Sequence, residues 1–475
     1  MRPFKSVILS LFIGLSFIVG CSSDRSLEDD VATSSGAFQM PEYVTTTLET
    51  GLTLMLMPQH EVPLITVNAV VNVGSVNDTS PGLASVTAQS LLLGNKLKSK
   101  RETEKLVDSL GATLFAQAAL EGSYISANFM AKDTVQMMPL LKSVLTQPTF
   151  DKQEFDKLLK RQMAYLQQAK ESPKAVINNY FYAQLFGHHQ YANPVSGDAQ
   201  SLETITRNQV RQFHRKHFQP TNTAIVVSGD FDPVTMQDFL TELFSDWTTT
   251  ATVAVTPIKP LKPLQKAKVL LINKPDAIET TFMIGGLGVS RDNPDYVSLQ
   301  VINTLLGGRF TSWLNDELRV NSGLTYGARS TFSSFRQGGA FYISTFTKTE
   351  TTRSAIDLAL STYARLWEQG IDQDTLDSAK AYIKGQFPPQ YETNAQLANL
   401  MADMFLYRFD QQFINNFETQ VNQLTLDKSQ QLIERYFPRE NLQFILIGQA
   451  DKIKHIASVY GEVVQIEMTD PGFSR

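Results

Sequence analysis

At 475 residues, 42% of them hydrophobic and 19% charged, the chain is long enough for more than one domain and apolar enough to bury its cores, which excludes disorder as its main state. A formal net charge of −5, without any cluster of Lys and Arg, excludes a partner bound through its phosphate backbone, because that affinity comes from counterions released by clustered cations; no nucleic acid is expected. The single cysteine, Cys21, leaves no internal disulfide, so burial alone must stabilise the fold.

Arg2 and Lys5 precede an apolar run from Val7 to Gly20 that is shorter than the roughly 20 residues of a spanning helix, so residues 1–20 read as a signal peptide. Ile18-Val19-Gly20-Cys21 resembles the bacterial lipoprotein box, which implies cleavage before Cys21 and lipidation of its thiol. The alternative is an ordinary signal segment with an incidental thiol. Ser22 to Ala37 is rich in Ser, Asp and Glu, and residues 21–40 are expected to form a flexible tether between lipid and domain. Ser22 in place of an aspartate implies, by the same resemblance, anchoring at the outer membrane of a Gram-negative bacterium, facing the periplasm.

The body of the chain is duplicated. Pro81 and Gly94 recur as Pro294 and Gly307, 213 residues later in each case, and Phe218, Asn222 and Gly229 recur as Phe437, Asn441 and Gly448, 219 residues later. The first pair brackets a helix in each copy, with Ser80 or Asn293 as its expected N-cap and the glycine as its stop. Alternating apolar residues predict strands at Ile65 to Val73 and Thr280 to Gly286, and again at Thr223 to Ser228 and Leu442 to Ile447. Near Gln153 a helix begins whose Phe155, Leu158, Leu159, Met163 and Leu166 share one face. The aperiodic, Pro- and Thr-rich stretch 248–267 is expected to be an extended linker between an N-terminal domain, 41–247, and a C-terminal domain, 268–470. The fold class is therefore α+β.

Gly82-Leu83-Ala84-Ser85-Val86-Thr87-Ala88-Gln89, following a strand that ends in Gly74-Ser75, resembles the helix of the insulinase/pitrilysin zinc peptidases, with their inverted His-x-x-Glu-His motif. The resemblance covers essentially all of the chain after the tether. It implies two homologous α/β-sandwich domains, each a mostly antiparallel sheet with helices on one face, in a clam-like arrangement. It also sets Ser85 and Gln89 where the two histidine ligands belong, Ala88 at the general-base glutamate, and Tyr165 near the third ligand, a glutamate in the family. Positions 85, 88 and 89 share one helix face, but a hydroxyl and a carboxamide are poor zinc ligands and alanine cannot accept a proton. His188-His189-Gln190-Tyr191 and His214 with His217 are the only near histidine pairs, and neither has a glutamate at the motif's spacing. No metal is expected in this chain.

Gly307-Gly308-Arg309-Phe310 through Leu318-Arg319, then Gly323-Leu324-Thr325-Tyr326, resembles the family's glycine-rich segment and its Leu-Arg-x-x-x-Gly-Leu-x-Tyr tail. By resemblance Arg319 and Tyr326 hold peptide carbonyls and the developing oxyanion, a role suited to a guanidinium and a phenol as fixed donors, and Gly307 and Gly308 form the substrate-side loop. A chain with this segment and no zinc motif resembles the non-catalytic subunit of the family's two-chain bacterial enzymes. The expected partners are a homologous subunit that carries the zinc and an unfolded or short peptide. Two other readings stay open: a stand-alone peptide-binding or scaffold lipoprotein, and an active peptidase with an unorthodox metal site.

Overall fold

Thr- and Val-rich alternation in each copy produces strands, and the Gly and Asn punctuation between them sets where the chain turns. The computed structural model describes residues 38–249 and 257–474. The first copy contributes β1 (Val44–Thr47), β2 (Thr53–Pro58), β3 (Leu64–Val71), β4 (Thr113–Ala118), β5 (Ser123–Met130) and β6 (Thr223–Gly229). The second contributes β7 (Lys268–Asn273), β8 (Glu279–Gly288), β9 (Arg329–Phe335), β10 (Gly338–Lys348), β11 (Gln443–Gly448) and β12 (Glu462–Glu467). They form two six-stranded sheets, ordered β1-β2-β6-β3-β5-β4 and β12-β7-β11-β8-β10-β9. Pairing is antiparallel except at β2–β6, β7–β11 and β7–β12. Five strands occupy equivalent places in both sheets, so the duplication is a duplication of fold. The copies differ at one edge, which the N-terminal strand β1 supplies in the first sheet and the C-terminal strand β12 in the second.

Each sheet carries its own copy's helices on one face. Leu54, Leu56, Val67, Ile225 and Val227 are packed with the first copy's helices, and Val269, Leu271, Phe282, Ile284 and Phe341 with the second's. The other face is covered by exchange. Helix Pro173–Phe186, from the first copy, lies on β8 and β11, where Val176, Ile177, Tyr180 and Phe181 join Leu270, Met283, Ile445 and Ile447. Helix Asn394–Tyr407, 221 residues later, lies on β3 and β6, where Leu397, Ala398 and Met401 cluster with Met55, Val70, Ala224 and Val226. Burial on both faces explains why β6 and β11 are uninterrupted runs of buried residues. The copies are interlocked, and the described residues from Phe38 onward form one compact unit.

The helices expected to begin at Ser80-Pro81 and Asn293-Pro294 start later, at Leu83 and Tyr296. In the first copy the cap comes from further back: Asp78 accepts the backbone N–H of Gly82 at 2.9 Å and of Ala84 at 2.7 Å, while Gly82 turns the chain in the left-handed region, at φ 88°. Gly94 ends its helix as expected, but Gly307 does not, because the second copy runs on through a wide turn over Thr304–Gly308. The end of the expected tether is also packed: Met40 is buried, and the Phe38 ring lies 5.8 Å from Phe387 and 5.4 Å from Tyr391. The signal peptide, Cys21 and the rest of the tether lie outside the described residues, as do 250–256 of the linker. Residues 257–267 hold no helix or strand, and Ile258, Leu261 and Leu264 lie against the core beneath the exchanged helix.

Candidate functional site

The segment from Gly307 to Tyr326 folds into short helical turns that lie against β9. Gly307 is needed there, since a Cβ would fall 2.2 Å from the Ser330 backbone nitrogen and 2.5 Å from its Oγ. Gly307→Ala is expected to destabilise the protein by about 1–3 kcal/mol through forced displacement of β9. Gly385→Ala, whose Cβ would meet nothing within 4 Å inside helix Gln373–Gln386, is expected to be neutral or stabilising by up to about 1 kcal/mol. Urea unfolding of both variants checks this, and equal midpoints would remove the packing account.

Over this floor lies a cleft of about 550 Å³ that brings together Gly307, Gly308, Arg319 and Tyr326, with Arg309 and Tyr382 beside them. Tyr326 is 81% exposed, and its ring centroid is 6.3 Å from that of Phe346. Arg319 is exposed, with its guanidinium 4.6 Å from the centroid of the Phe310 ring, and among the described residues it pairs with no carboxylate. Its neighbour Glu317 is engaged by Arg365 at 3.2 Å. The cleft thus presents a guanidinium and a phenol to solvent, neither satisfied from within.

The other expected cluster has turned inward. Ser85 and Ala88 are buried, and the Gln89 amide donates to Ser85 Oγ at 3.1 Å, so the two groups in the histidine positions satisfy each other. Tyr165, on helix Lys152–Lys170, is 59% exposed. A cavity of about 560 Å³ beside Gln89 is lined by Lys100, Glu104, Asp108, Phe115 and Arg161; the member from the Tyr165 helix is Arg161, one turn earlier, a cation where zinc would need an anion. Among the described residues no three His, Cys, Asp or Glu side chains are placed to hold a metal ion. These residues do not fit a zinc site. The buried Asp78 carboxyl that caps this helix is pushed up to about 8 by desolvation, against the pull of its backbone donors.

The cavity beside Gln89 and the cleft around Tyr326 share no lining residue. Two of the histidines, His189 and His214, are tied to backbone carbonyls. His189 hydrogen-bonds the Lys259 carbonyl at 2.6 Å, and His214 that of Leu145 at 2.8 Å. Sequence reasoning assigned no role to Arg309, Phe310, Arg329, Tyr382 or Lys174, all of which line or flank the cleft. Arg309 and Phe310 lie within the quoted glycine-rich segment, which was a usable signal; Lys174 and Arg329 carried none.

The profile of the insulinase family, peptidase family M16, matches residues 55–199, and that of the peptidase M16 inactive domain matches residues 204–383. The chain is 23% identical over 384 residues to the non-peptidase homolog YmxG of Helicobacter pylori, covering 80% of this chain and 88% of that protein. It is 24% identical over 300 residues to an uncharacterized zinc protease of Mycobacterium leprae, covering 63% and 67%. The fold is similar to the crystal structure of a peptidase M16 inactive domain from Pseudomonas fluorescens, with a TM-score of 0.80 at 24% identity over 86% of this chain and 98% of that one. A protease from Helicobacter pylori matches with a TM-score of 0.79 at 19% identity, over 86% and 100%. The duplicated sheets, the two profile matches and the altered motif agree: the chain belongs to the M16 insulinase family, with its N- and C-terminal domains both present and the peptidase motif replaced.

Proposed function

We propose that the chain is the non-catalytic subunit of a heteromeric periplasmic zinc peptidase, lipid-anchored through Cys21 at the outer membrane, and that it holds peptide substrate for a homologous partner carrying the zinc. The observation that carries this reading is the cleft in which Arg319 and Tyr326 face solvent with no hydrogen-bond or carboxylate partner among the described residues, in a chain where Ser85 and Gln89, at two of the zinc-motif positions, bond to each other. A helix arginine and a strand-end tyrosine kept for packing would be buried or paired; these are free to donate to peptide carbonyls and to negative charge that develops on them. That the cleft and the Gln89 cavity are separate supports action in trans. Among the described residues no helix is long and apolar enough to cross a membrane, so the proposed attachment rests on the lipid.

Hydrolysis of a quenched fluorescent peptide tests the reading, with this chain, its zinc-bearing partner and their mixture measured separately. Activity is expected only in the mixture, and Arg319→Ala and Tyr326→Phe are each expected to lower it about 10- to 100-fold. A mixture no faster than the partner alone would make this chain a binding or scaffold protein.

A further inference from the structure

The cleft around Tyr326 continues into a second hollow of about 470 Å³, and the two share Tyr326, Gly327, Arg329 and Thr331. Their linings contain Arg309, Arg319, Arg329 and Lys174, and neither contains an Asp or Glu. This is a local excess of four positive charges on a chain whose net charge is −5. The cations are also largely unneutralised. Among the described residues Arg309, Arg319 and Arg329 have no carboxylate within ion-pair distance, and Lys174 has only Glu279, at 4.0 Å. Arg309 is held by a hydrogen bond from Nη1 to Ser378 Oγ at 2.9 Å, and its buried Nε has no acceptor. The remaining contacts are aromatic: Arg319 over Phe310, and Lys174 with its Nζ 3.0 Å from the Phe346 ring centroid. Rings hold these cations in place without cancelling their charge.

We infer that the cleft selects peptides by their carboxylates, and that the substrate class of the site is an acidic peptide. The inference rests on the peptide-holding role proposed above and adds the chemistry of what is held. A groove lined by one sign of charge concentrates oppositely charged ligands, and an extended peptide repeats its side chains on one face every ~7 Å, so several carboxylates can lie along the groove at once. Arg329 occupies the middle of this surface, where the hollows meet. Lys174 arrives from the other copy on the exchanged helix, so the groove takes its charge from both halves of the chain.

The test is binding, by titration calorimetry, of 12-residue peptides to the full chain in neutral detergent. Four peptides separate the sources of carboxylate: one with four Glu and an amidated C-terminus, its Gln counterpart, its Lys counterpart, and the Gln peptide with a free C-terminus. At about 50 mM salt the Glu peptide is expected to bind at least about 10-fold more tightly than the Gln peptide, with the advantage falling below about 2-fold at 0.5 M salt. Arg329→Gln and Lys174→Gln should each cut the advantage about 3-fold, and Arg329→Glu should shift preference towards the Lys peptide. If only the free C-terminus raises affinity, the cleft reads a terminal carboxylate and the acidic-peptide assignment falls. Equal binding of Glu and Gln peptides, weakened by Tyr326→Phe, would overturn the charge inference while leaving the peptide-holding role intact. No binding by any peptide overturns the inference, and the mixed-subunit activity assay then decides separately whether the proposed function survives.

Discussion

Glu121→Ala is expected to lower the free energy of unfolding by about 2–4 kcal/mol, because it strands buried donors and leaves a partly buried arginine without its counter-charge. Glu121, 2% exposed, lies in the turn between β4 and β5, and Arg336 lies in the corresponding turn between β9 and β10, so the two copies meet hairpin to hairpin. Around Glu121 the satisfaction is dense. Its carboxylate accepts the Tyr191 hydroxyl at 2.8 Å and the Arg336 backbone N–H at 3.1 Å, its Oε1 lies 3.4 Å from Arg336 Nε, and Arg336 Nη2 donates to its backbone carbonyl at 2.7 Å. Tyr191 then passes the network on by accepting the Gln337 N–H at 2.9 Å. Removing the carboxylate strands the Tyr191 hydroxyl and the Arg336 backbone N–H at the junction of the halves, whereas Glu121→Gln keeps an acceptor and should cost less. Arg336→Met in the Glu121→Ala background should recover part of the loss, since the uncompensated charge goes with it. Urea unfolding of the unsubstituted protein, Glu121→Ala, Arg336→Met and the double variant measures the cycle. A loss under about 1 kcal/mol for Glu121→Ala would mean that water already neutralises the pair.

The duplication was legible because it is written in residues with strong backbone preferences. Pro81 and Pro294, Gly94 and Gly307, Asn222 and Asn441 are punctuation that survives when packing residues diverge. The strands were legible from alternation, and the expected spans fall within about two residues of β3, β6, β8 and β11. In the first copy the helix start was misplaced because Asp78, four residues before Gly82, accepts the first N–H groups of the helix, a cap that the Ser-Pro pair concealed. The exchange of Pro173–Phe186 and Asn394–Tyr407 was not legible at all. A helix with Val176, Ile177, Tyr180, Phe181, Leu185 and Phe186 buried announces that it will be covered, but nothing local states which copy's sheet will cover it.

That same exchange limits how much of the site a sequence can reveal. Arg319, Tyr326, Gly307 and Gly308 lie close in the chain and were found as one segment, whereas Lys174 reaches the groove only after its helix has crossed to the other sheet. At the altered zinc motif the sequence told which groups were missing. It did not tell that Gln89 would bond to Ser85, or that Arg161 would line the neighbouring cavity while Tyr165 faces solvent.

Acid is expected to destabilise the protein through His214 and His217. Both are buried near the C-terminus of helix Arg207–His217, and desolvation pushes both down to about 4, with the Lys216 cation adding to the effect at His217. His214 is fixed by its hydrogen bond to the Leu145 carbonyl, and His217 lies 4.6 Å, ring to ring, from Phe213. The unfolded chain takes up these protons near pH 6.5 and the folded chain does not until about pH 4. The stabilisation is therefore complete above pH 6.5 and drains away as pH falls from 6.5 towards 4, by about 2–3 kcal/mol per histidine at pH 4.5. The buried carboxyls of Asp78 and Glu121, held above their ordinary range, act in the opposite sense and gain as pH falls. The raw curve mixes the two, so the measurement is a difference: unfolding free energies of the unsubstituted protein and of His214→Gln/His217→Gln from pH 7.5 to 4.5, with the carboxyls common to both. The two curves should converge as pH falls, because only the histidine-bearing chain loses this contribution. Parallel curves would mean that the folded state protonates these rings as readily as the unfolded one, and that the helix end is open to water.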